Sequence, residues 1–345
     1  MKKNLLLFFL YFIVNQHSIL FCQDSNVYFV AFYNVENLFH PSDDSLKNDD
    51  AFTPTGFNHW TYKKYIRKIN NISKVFIAMN AYSPPDMIGM AEIEEVSVLK
   101  KMCYDSPLQK YQYRYVHYDS PDARGVDVAL LYRKDRVKIL RSRPVPVLFP
   151  FEPLSKNRDI LYAVAQFPNG DSLHLFVNHW TSRYSGYAPT VPKRNYYATI
   201  VQQMCDSILS ENAEAKIVVM GDFNDYPTDE SMTDVLKTGD CENPQHQNRH
   251  LFNLMYRFLK MNNMGSHKHE DFWGCLDQII VSSSLIDNSG KLFVINKEAH
   301  IFNAGFLLEP DEKYGGTKPY RTFLGPRYVG GYADHLPVFI KIRAN

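Results

Sequence analysis

Two carboxylates and an amide follow an apolar run in the second half of the chain. The segment GDFND, residues 221–225, comes directly after IVVM, residues 217–220, whose composition is typical of a buried strand. A carboxylate in such surroundings is costly unless it is paired or bound to a cation. The segment is either an ordinary polar turn, since Gly, Asp and Asn favour turns, or part of a site that holds a cation.

Polar residues also stand beside the other apolar runs, after most of them but before the runs that follow Asp277 and His335. They are Asn34 and Glu36 (YNVENLF), Glu92 (MAEIE), His179 (FVNHW), Asp222 and Asn224 (GDFN), Asp277 (LDQIIV), and Asp334 with His335 (ADHLPVFI). Each alone has an ordinary alternative: a carboxylate at a helix start, a core histidine, or a turn residue. Their recurrence at the ends of several runs favours one shared site over separate coincidences.

The residue types define the chemistry that such a site could perform. Carboxylate and amide oxygens are ligands of hard cations such as Mg²⁺ or Mn²⁺, and they leave positions for water and a phosphate oxygen. An aspartate can accept a proton from water, and a histidine held by a carboxylate is favoured as imidazolium beside an anion. Together these groups suit metal-assisted hydrolysis, which needs charge neutralisation and an aligned nucleophile.

Mixed α/β elements are expected to position these residues. Strand-like runs occupy residues 27–34, 87–90, 126–132, 173–177, 217–220, 278–281 and 338–342, and apolar spacings of three or four predict a helix over 60–79. No internal repeat or low-complexity linker divides the chain, so one domain is expected. Residues 241–270 and 302–333 are less regular, and long loops in compact domains are often functional.

The N-terminus and the bulk composition bear on location and partners. Lys2 and Lys3 precede an apolar run over residues 5–14, which is too short to span a bilayer comfortably and predicts a signal peptide over 1–22. Cleavage near Cys22 and export of a single domain over 23–345 are expected, and a lipid on Cys22 or a retained membrane anchor are the alternatives to simple cleavage. The net charge of +1 gives no global attraction to nucleic acid or membranes, so a polyanion would need a local patch or a metal ion.

The remaining cysteines do not define a disulfide scaffold. Cys103, Cys205, Cys241 and Cys275 are widely spaced, and whether they pair is open. His267, His269 and Cys275 could form a zinc triad on paper. No paired second motif or CxxC accompanies them, so a structural zinc site is not expected there.

The order of these motifs resembles that of the endonuclease/exonuclease/phosphatase superfamily. The similarity runs from Tyr33 in YNVENLF to Ile340 in ADHLPVFI, and GDFN followed by DHLPV is its most specific part. The resemblance implies an α/β fold: a four-layer α/β sandwich in which two mixed β-sheets pack face to face with helices outside. It also implies a metal site at one edge of the sheets.

The resemblance further implies a role for each matching residue. Glu92 is expected to be the main Mg²⁺ ligand, with Mn²⁺ as the alternative cation. The residues expected in or near the coordination shell of the metal are Asn34, Glu36 and Asp334. The expected catalytic residues are Asp222 and Asn224, which position water and phosphate, His335 on the phosphate, Asp277, which orients His335, and His179. Ala91 and Ala333 stand where many members have Gln and Ser, a departure that leaves the ligands intact and bears on fine geometry more than on activity.

Three arginines are candidate substrate-binding residues, with ordinary surface charge as the alternative for each: Arg124, Arg183 and Arg194. The loop over residues 314–332 is rich in basic and aromatic side chains. It could supply phosphate contacts and stacking platforms, or it could simply pack on the sheets.

The expected function is an exported, Mg²⁺-dependent phosphodiesterase, an endonuclease that hydrolyses DNA or RNA. The alternative is a phospholipid or sugar-phosphate phosphodiesterase on the same fold. A binding module that has lost catalysis is disfavoured, because a binding-only protein would not need the full set of site residues. The expected partner is a nucleic acid substrate, with no stable protein partner, a monomeric state, and membrane attachment only through a lipid on Cys22.

Overall fold

The structure is a computed structural model that describes residues 26–80, 83–261 and 264–345. The predicted signal peptide, including Cys22, lies outside the described residues. Within the described ranges, no helix combines the length and apolarity needed to cross a bilayer.

Eighteen strands occur in these ranges, and the domain is built around them. In chain order they are β1 (Val27–Leu38), β2 (Met87–Ile93), β3 (Tyr113–His117), β4 (Asp127–Arg133), β5 (Lys138–Val145), β6 (Ile160–Gln166), β7 (Ser172–His179), β8 (Ile217–Asp222), β9 (Leu251–Asn253), β10 (His267–His269), β11 (Phe272–Gly274), β12 (Asp277–Ser282), β13 (Leu292–Ile301), β14 (Leu308–Pro310), β15 (Thr317–Pro319), β16 (Phe323–Leu324), β17 (Arg327–Tyr328) and β18 (Val338–Ala344).

Three α-helices accompany the strands: α1 (Tyr62–Ala78), α2 (Val96–Tyr104) and α3 (Tyr187–Glu211). Short helical turns occupy Asp50–Phe52, Gln109–Tyr111, Arg183–Ser185, Ser231–Val235, Pro244–His246, Leu254–Lys260, Ser283–Leu285 and Gly305–Leu307.

Two six-stranded sheets dominate the architecture. The first has the order β13-β18-β1-β2-β4-β3 and the second the order β5-β6-β7-β8-β12-β9. Both are mixed, because β1 runs parallel to β2 and β7 parallel to β8, while the other neighbours are antiparallel. The sandwich of two mixed sheets expected from the sequence is therefore confirmed.

The sheets pack through alternate side chains of each strand. In β8, Val218 and Met220 join the core between the sheets, whereas Ile217 and Val219 join a second core against α3. This alternation follows from the two-residue period of a strand. Gly89 of β2 faces Met220 so closely that an added Cβ would lie 2.9 Å from the Met220 Cε. A glycine is therefore favoured where the two sheets approach each other.

The helices cover the outer faces and complete the four layers. The predicted helix over 60–79 is confirmed as α1, which buries Ile69, Ile72 and Phe76 in the first core. Its N-terminus is capped by Thr61, whose hydroxyl accepts from the Lys64 amide at 3.4 Å. On the other side, α3 packs against the second sheet.

The described cysteines form no disulfide. Cys103, Cys205 and Cys275 are buried, Cys241 is partly buried, and all four thiols are free. The pairing left open by the sequence is therefore resolved in favour of free thiols.

Candidate active site

Three strands of the second sheet bring their polar ends side by side. The parallel register of β7 and β8 places His179 opposite Asp222, and the antiparallel register of β8 and β12 places Asp222 opposite Asp277. Gly221 permits this closeness, because a Cβ there would lie 2.5 Å from the Asn178 carbonyl oxygen. The GDFN motif is thus a strand end that faces a site.

The first sheet supplies residues to the same edge. Asn34, near the end of β1, donates from Nδ2 to Asp222 Oδ2 at 3.0 Å. Glu92 of β2 lies 3.9 Å from His179, measured between Glu92 Oε1 and His179 Nε2. The two sheets therefore meet at one group of polar side chains, as the sequence predicts.

Left-handed backbone turns point several of these side chains into the site. Glu36, Glu92 and Asn224 have φ values of +53°, +63° and +52°, which non-glycine residues adopt only where surrounding structure holds them. On an uninterrupted strand, Asn34 and Glu36 would point to the same face because they are two residues apart, and so would Asp222 and Asn224. That geometry is corrected, because β8 ends at Asp222 and the register of β1 shifts after Asn34.

His335 and Asp277 form the closest polar pair of the site. His335 Nδ1 lies 2.6 Å from Asp277 Oδ2, and His335 Nε2 lies 3.8 Å from Asp222 Oδ2. Burial by itself lowers the pKa of His335, but the carboxylates of Asp277 and Asp222 outweigh it and raise that pKa well above its ordinary value. His335 is therefore an imidazolium at neutral pH.

Asp222 occupies the centre of the site. Its Oδ1 accepts from the Asn224 amide at 3.0 Å, and its Oδ2 accepts from Asn34. Burial raises the pKa of Asp222 to about 6, against the opposing effect of His335. A carboxylate with a pKa near neutrality can take a proton from water and still be ionised at neutral pH.

His179 has the opposite protonation state. Its Nε2 lies 3.7 Å from Asp222 Oδ2. Burial lowers the pKa of His179 well below its ordinary value, and the charges of Arg158 and Arg124 lower it further. The site thus holds one cationic and one neutral histidine on either side of Asp222.

Arg124 lies beside the site, and its expected role in binding substrate stays a prediction. Its Nη2 lies 3.7 Å from Glu92 Oε1, and its side chain is 47 % exposed. Glu92 Oε2 accepts from the Asn37 amide at 2.7 Å, which fixes the carboxylate while leaving Oε1 facing the site.

Glu36 and Asp334 share one guanidinium. Arg321 Nη2 lies 3.0 Å from Glu36 Oε1 and 3.0 Å from Asp334 Oδ2. The Thr322 amide donates to Glu36 Oε2 at 2.7 Å, and Lys68 Nζ lies 3.7 Å from the same oxygen. Glu36 is therefore fully engaged by protein groups in this arrangement, and its role as a metal ligand stays a prediction.

Lys68 is a site residue that sequence reasoning missed. It reaches from α1, is almost fully buried, and hydrogen-bonds to the Thr322 hydroxyl and the Tyr332 carbonyl. Burial lowers the pKa of Lys68 to about 8, although Glu36 opposes the shift. A signal was present in the sequence, because Lys68 lies one helical turn from Tyr65 and Ile72 on the apolar face of the helix.

His267 is a second missed residue. It lies on β10, its backbone bridges to His335, and the two imidazole centroids are 4.7 Å apart. Burial, followed by the positive charge of His335, lowers the pKa of His267 to about 3. The sequence considers His267 only as part of a zinc triad with His269 and Cys275.

The other two candidate arginines differ from each other. Arg194 has no exposed side-chain surface, and its Nε lies 2.7 Å from Asp225 Oδ1. The expectation that Arg194 binds substrate is corrected, because a fully buried guanidinium paired with an internal carboxylate cannot reach one. Arg183 is 26 % exposed and pairs with the same Asp225 oxygen at 2.8 Å while donating to the Asn224 carbonyl.

The loop over residues 314–332 packs on the domain and brings one arginine to the site, and its binding of phosphate or bases stays a prediction. Arg321 reaches the site, whereas Phe323 packs against Trp60, with ring centroids 5.8 Å apart. The aromatic side chains around Phe323 therefore anchor the loop on the domain.

The residues at this edge fit a divalent cation. The carboxylates of Asp222 and Asp277 lie within 4.8 Å of each other and of His335, and the carboxylate of Asp334 lies within 4.8 Å of His267 and His335. The carboxylates are the candidate ligands, because the protonated His335 has no free lone pair for a cation. Asp277 Oδ1 is buried and has no hydrogen-bond partner. Together with Asn34 and Glu92 these groups form an oxygen-rich donor set of the kind that divalent cations use.

Solved structures share the fold at low sequence identity. Humanized D. rerio TDP2 aligns with a TM-score of 0.57 and 15% identity, over 92% of this chain and 100% of that chain. A mannosyl-6-phosphatase from Bacteroides thetaiotaomicron gives 0.56 and 17%, over 91% and 99%. The human Nocturnin catalytic domain with bound sulfate gives 0.54 and 17%, over 93% and 95%. At this identity the likeness concerns the fold alone.

The family follows from the sequence. Comparison with curated proteins gives no match. A family model described as the endonuclease/exonuclease/phosphatase family matches residues 29–344, which include every polar strand end described above. The chain therefore belongs to the endonuclease/exonuclease/phosphatase family and is a phosphoesterase of that family.

Proposed function

We propose that this chain is an exported, Mg²⁺-dependent phosphodiesterase that hydrolyses nucleic acid. The observation that carries the proposal is the alignment of His335, Asp222 and His179 at one sheet edge, with Asp277 2.6 Å from His335. This arrangement provides a proton acceptor, a fixed cation and a neutral histidine within one small site.

Different residues of the site would bind the cation, accept a proton and contact the phosphate during hydrolysis. Glu92, Asp334 and Asn34 would hold Mg²⁺, which when bound neutralises phosphate charge. Asp222 takes the proton of the attacking water, and Asn224 is held beside it by its amide hydrogen bond to Asp222 Oδ1. His335 presents a protonated imidazole to the phosphate, and Asp277 fixes the tautomer and orientation of its ring.

An aromatic strip along one wall supports a substrate with bases. Arg183 lies between two tyrosine rings, with its Cζ 4.7 Å from the centroid of Tyr187 and 4.5 Å from that of Tyr226. Phe272 continues the strip at 5.7 Å from Tyr226 and is 55% exposed. Exposed rings beside cations stack on unpaired bases in a way that tolerates sequence.

A small phosphoester, such as a sugar phosphate, is the second candidate. The two partly exposed arginines beside the predicted ligands, Arg124 and Arg321, each lie within 4.0 Å of a site carboxylate. A protein that tracks a long polyanion ordinarily uses several cations free of such partners. The near-neutral charge of the chain supports a compact substrate for the same reason.

Cleavage of supercoiled plasmid and of single-stranded RNA by the purified protein tests the proposal. We expect nicking that requires Mg²⁺, stops in EDTA, and is lost in Asp222→Asn. The exposed Asp287→Asn variant is the matched control for a lost carboxylate. A folded, Mg²⁺-loaded protein that leaves both polymers intact but releases phosphate from sugar phosphates would establish the second candidate instead.

Export is tested by the N-terminus of the protein made in cells. We expect mass spectrometry to show a chain that begins close to residue 23. A chain that begins at Met1 and fractionates with the cytosol would contradict the export proposal and leave the enzymatic one intact.

A further inference from the structure

We propose that His117, Asp119 and Asp127 bind a divalent transition-metal ion such as Zn²⁺. The site lies where β3 and β4 meet the loop that connects them. His117 ends β3, Asp127 begins β4, and Asp119 lies in the loop between them. One ligand atom from each side chain lies within 4.8 Å of those of the other two. None of the three belongs to the active-site donor set.

The imidazole supplies an independent sign of a missing partner. The side chain of His117 is 3% exposed, and its Nε2 is buried without a hydrogen-bond partner. This atom lies 3.2 Å from Asp127 Oδ2. Two ligand atoms that are each about 2.0–2.1 Å from a tetrahedral ion lie roughly 3.4 Å apart, so the observed separation suits a shared ion.

Hydrogen bonds to one carboxylate oxygen of Asp127 direct the other oxygen toward His117. Its Oδ1 accepts from the Ser120 amide at 3.0 Å and from the Ser120 hydroxyl, which leaves Oδ2 directed at the imidazole. Asp127 also lines a cavity of about 10 Å³ with Asp159, a further nearby carboxylate. Local negative charge thus accompanies the unpartnered nitrogen.

The donor set selects the class of ion. One imidazole with carboxylates suits first-row transition ions, whereas Mg²⁺ and Ca²⁺ prefer oxygen ligands alone. Asp119 Oδ1 lies 3.9 Å from Nδ1, the other nitrogen of the His117 ring, and its side chain is 83% exposed, so the carboxylate is free to turn toward the ion. Three protein ligands leave a coordination position for water.

An ion here would stabilise a loop that contacts the active site. Within the loop over 118–126, Asp122 pairs with Arg158 at 3.1 Å, and Arg158 donates to the His179 carbonyl at 2.9 Å. The same loop carries Arg124 to Glu92. Closing the base of the loop with a metal ion would limit the motion of both contacts, which gives the site a structural role.

Zn²⁺ and Co²⁺ binding to the whole protein in excess Mg²⁺ tests the inference. We expect about one equivalent of Zn²⁺ to be retained, a higher Tm with Zn²⁺, and visible Co²⁺ absorption that reports a nitrogen ligand. His117→Asn should lose all three. The exposed His59→Asn variant is the matched control and should keep them.

Asp119→Asn is a second variant that tests Zn²⁺ binding even if His117→Asn folds poorly. Because Asp119 is exposed, its variant should fold normally and weaken Zn²⁺ binding at least about 10-fold. Equal Zn²⁺ retention by the wild type and both variants, or no effect of Zn²⁺ on the wild-type Tm, would overturn the inference and leave His117 and Asp127 as an ordinary buried contact. Neither result depends on whether the protein cleaves nucleic acid.

Discussion

Asp277 Oδ2 lies 2.6 Å from His335 Nδ1, and both side chains are buried where the two sheets meet. The contact gives His335 a high pKa in a location that would otherwise lower it. Across Asp222, His179 is neutral because burial and the charges of Arg158 and Arg124 lower its pKa, and it has no carboxylate at hydrogen-bond distance of the kind that His335 has in Asp277. The difference in charge between the two histidines therefore originates in Asp277.

Asp277→Asn should shift the pH dependence of catalysis. The pKa of His335 is raised in the wild type, so the active imidazolium persists to high pH. Without the Asp277 charge that pKa falls, so activity should be lost at a lower pH on the alkaline side and kcat should drop roughly 10²-fold. The pH profiles of kcat for both proteins measure this. An unchanged alkaline limb would show that His335 is not the titrating group.

Lys68→Met should destabilise the domain. Lys68 is buried beside Glu36, and removing one partner of a buried pair leaves an uncompensated charge. We expect a loss of about 3 kcal/mol, the lower end for such pairs, because Arg321 still neutralises Glu36. Urea unfolding measures the change.

Lys63→Met on the exposed face of the same helix is the control for Lys68→Met. It should change the free energy of unfolding by less than about 0.5 kcal/mol. Equal effects of the two substitutions would show that the Lys68–Glu36 pair adds nothing to stability.

Gly221→Ala should destabilise the fold more than Gly89→Ala does. A Cβ at Gly221 meets the backbone oxygen of Asn178 at 2.5 Å, whereas one at Gly89 meets the end of the flexible Met220 side chain at 2.9 Å. We expect Gly89→Ala to lower the free energy of unfolding by about 1 kcal/mol and Gly221→Ala to lower it by about 3 kcal/mol or more. Tm values and urea midpoints compare them, and the reverse order would mean that β7 and β8 separate more readily than the two sheets.

The polar strand ends could be predicted because each directly adjoins a recognisable apolar run. Asp222 and Asp277 belong to strands buried on both faces, whose composition is distinctive. Edge strands β5 and β13 are not predicted, because their charged, half-exposed residues resemble loops. Helix α3 is missed for another reason, since Pro192 and an even mixture of polar and apolar residues hide its period.

Tertiary contacts explain the rest of the difference between sequence and structure. Arg183 and Arg194 follow His179 in one segment and cannot be ranked by type, but only the fold shows that Arg194 is enclosed beside Asp225. Lys68 and His267 reach the site from distant parts of the chain. Their contacts depend on packing of α1 and β10, which local patterns do not encode.

Arg321→Gln should separate metal binding from substrate binding. The guanidinium lies 3.0 Å from both Glu36 and Asp334, so it competes with a cation for the Asp334 carboxylate. Removing it should lower the Mg²⁺ concentration for half-maximal activity about 2- to 5-fold, the size expected for one partly exposed ion pair. Mg²⁺ titrations at saturating substrate measure this effect.

Arg321→Gln should also weaken substrate binding, in contrast to its effect on Mg²⁺ binding. Arg321 is 39% exposed at the mouth of the site and can contact a phosphate, so its loss should raise KM for the substrate. Arg327→Gln, an exposed arginine of the same loop, is the control and should change neither quantity. A higher Mg²⁺ requirement in Arg321→Gln would show that the guanidinium holds Asp334 in place for the cation, because loss of a competitor can only reduce that requirement.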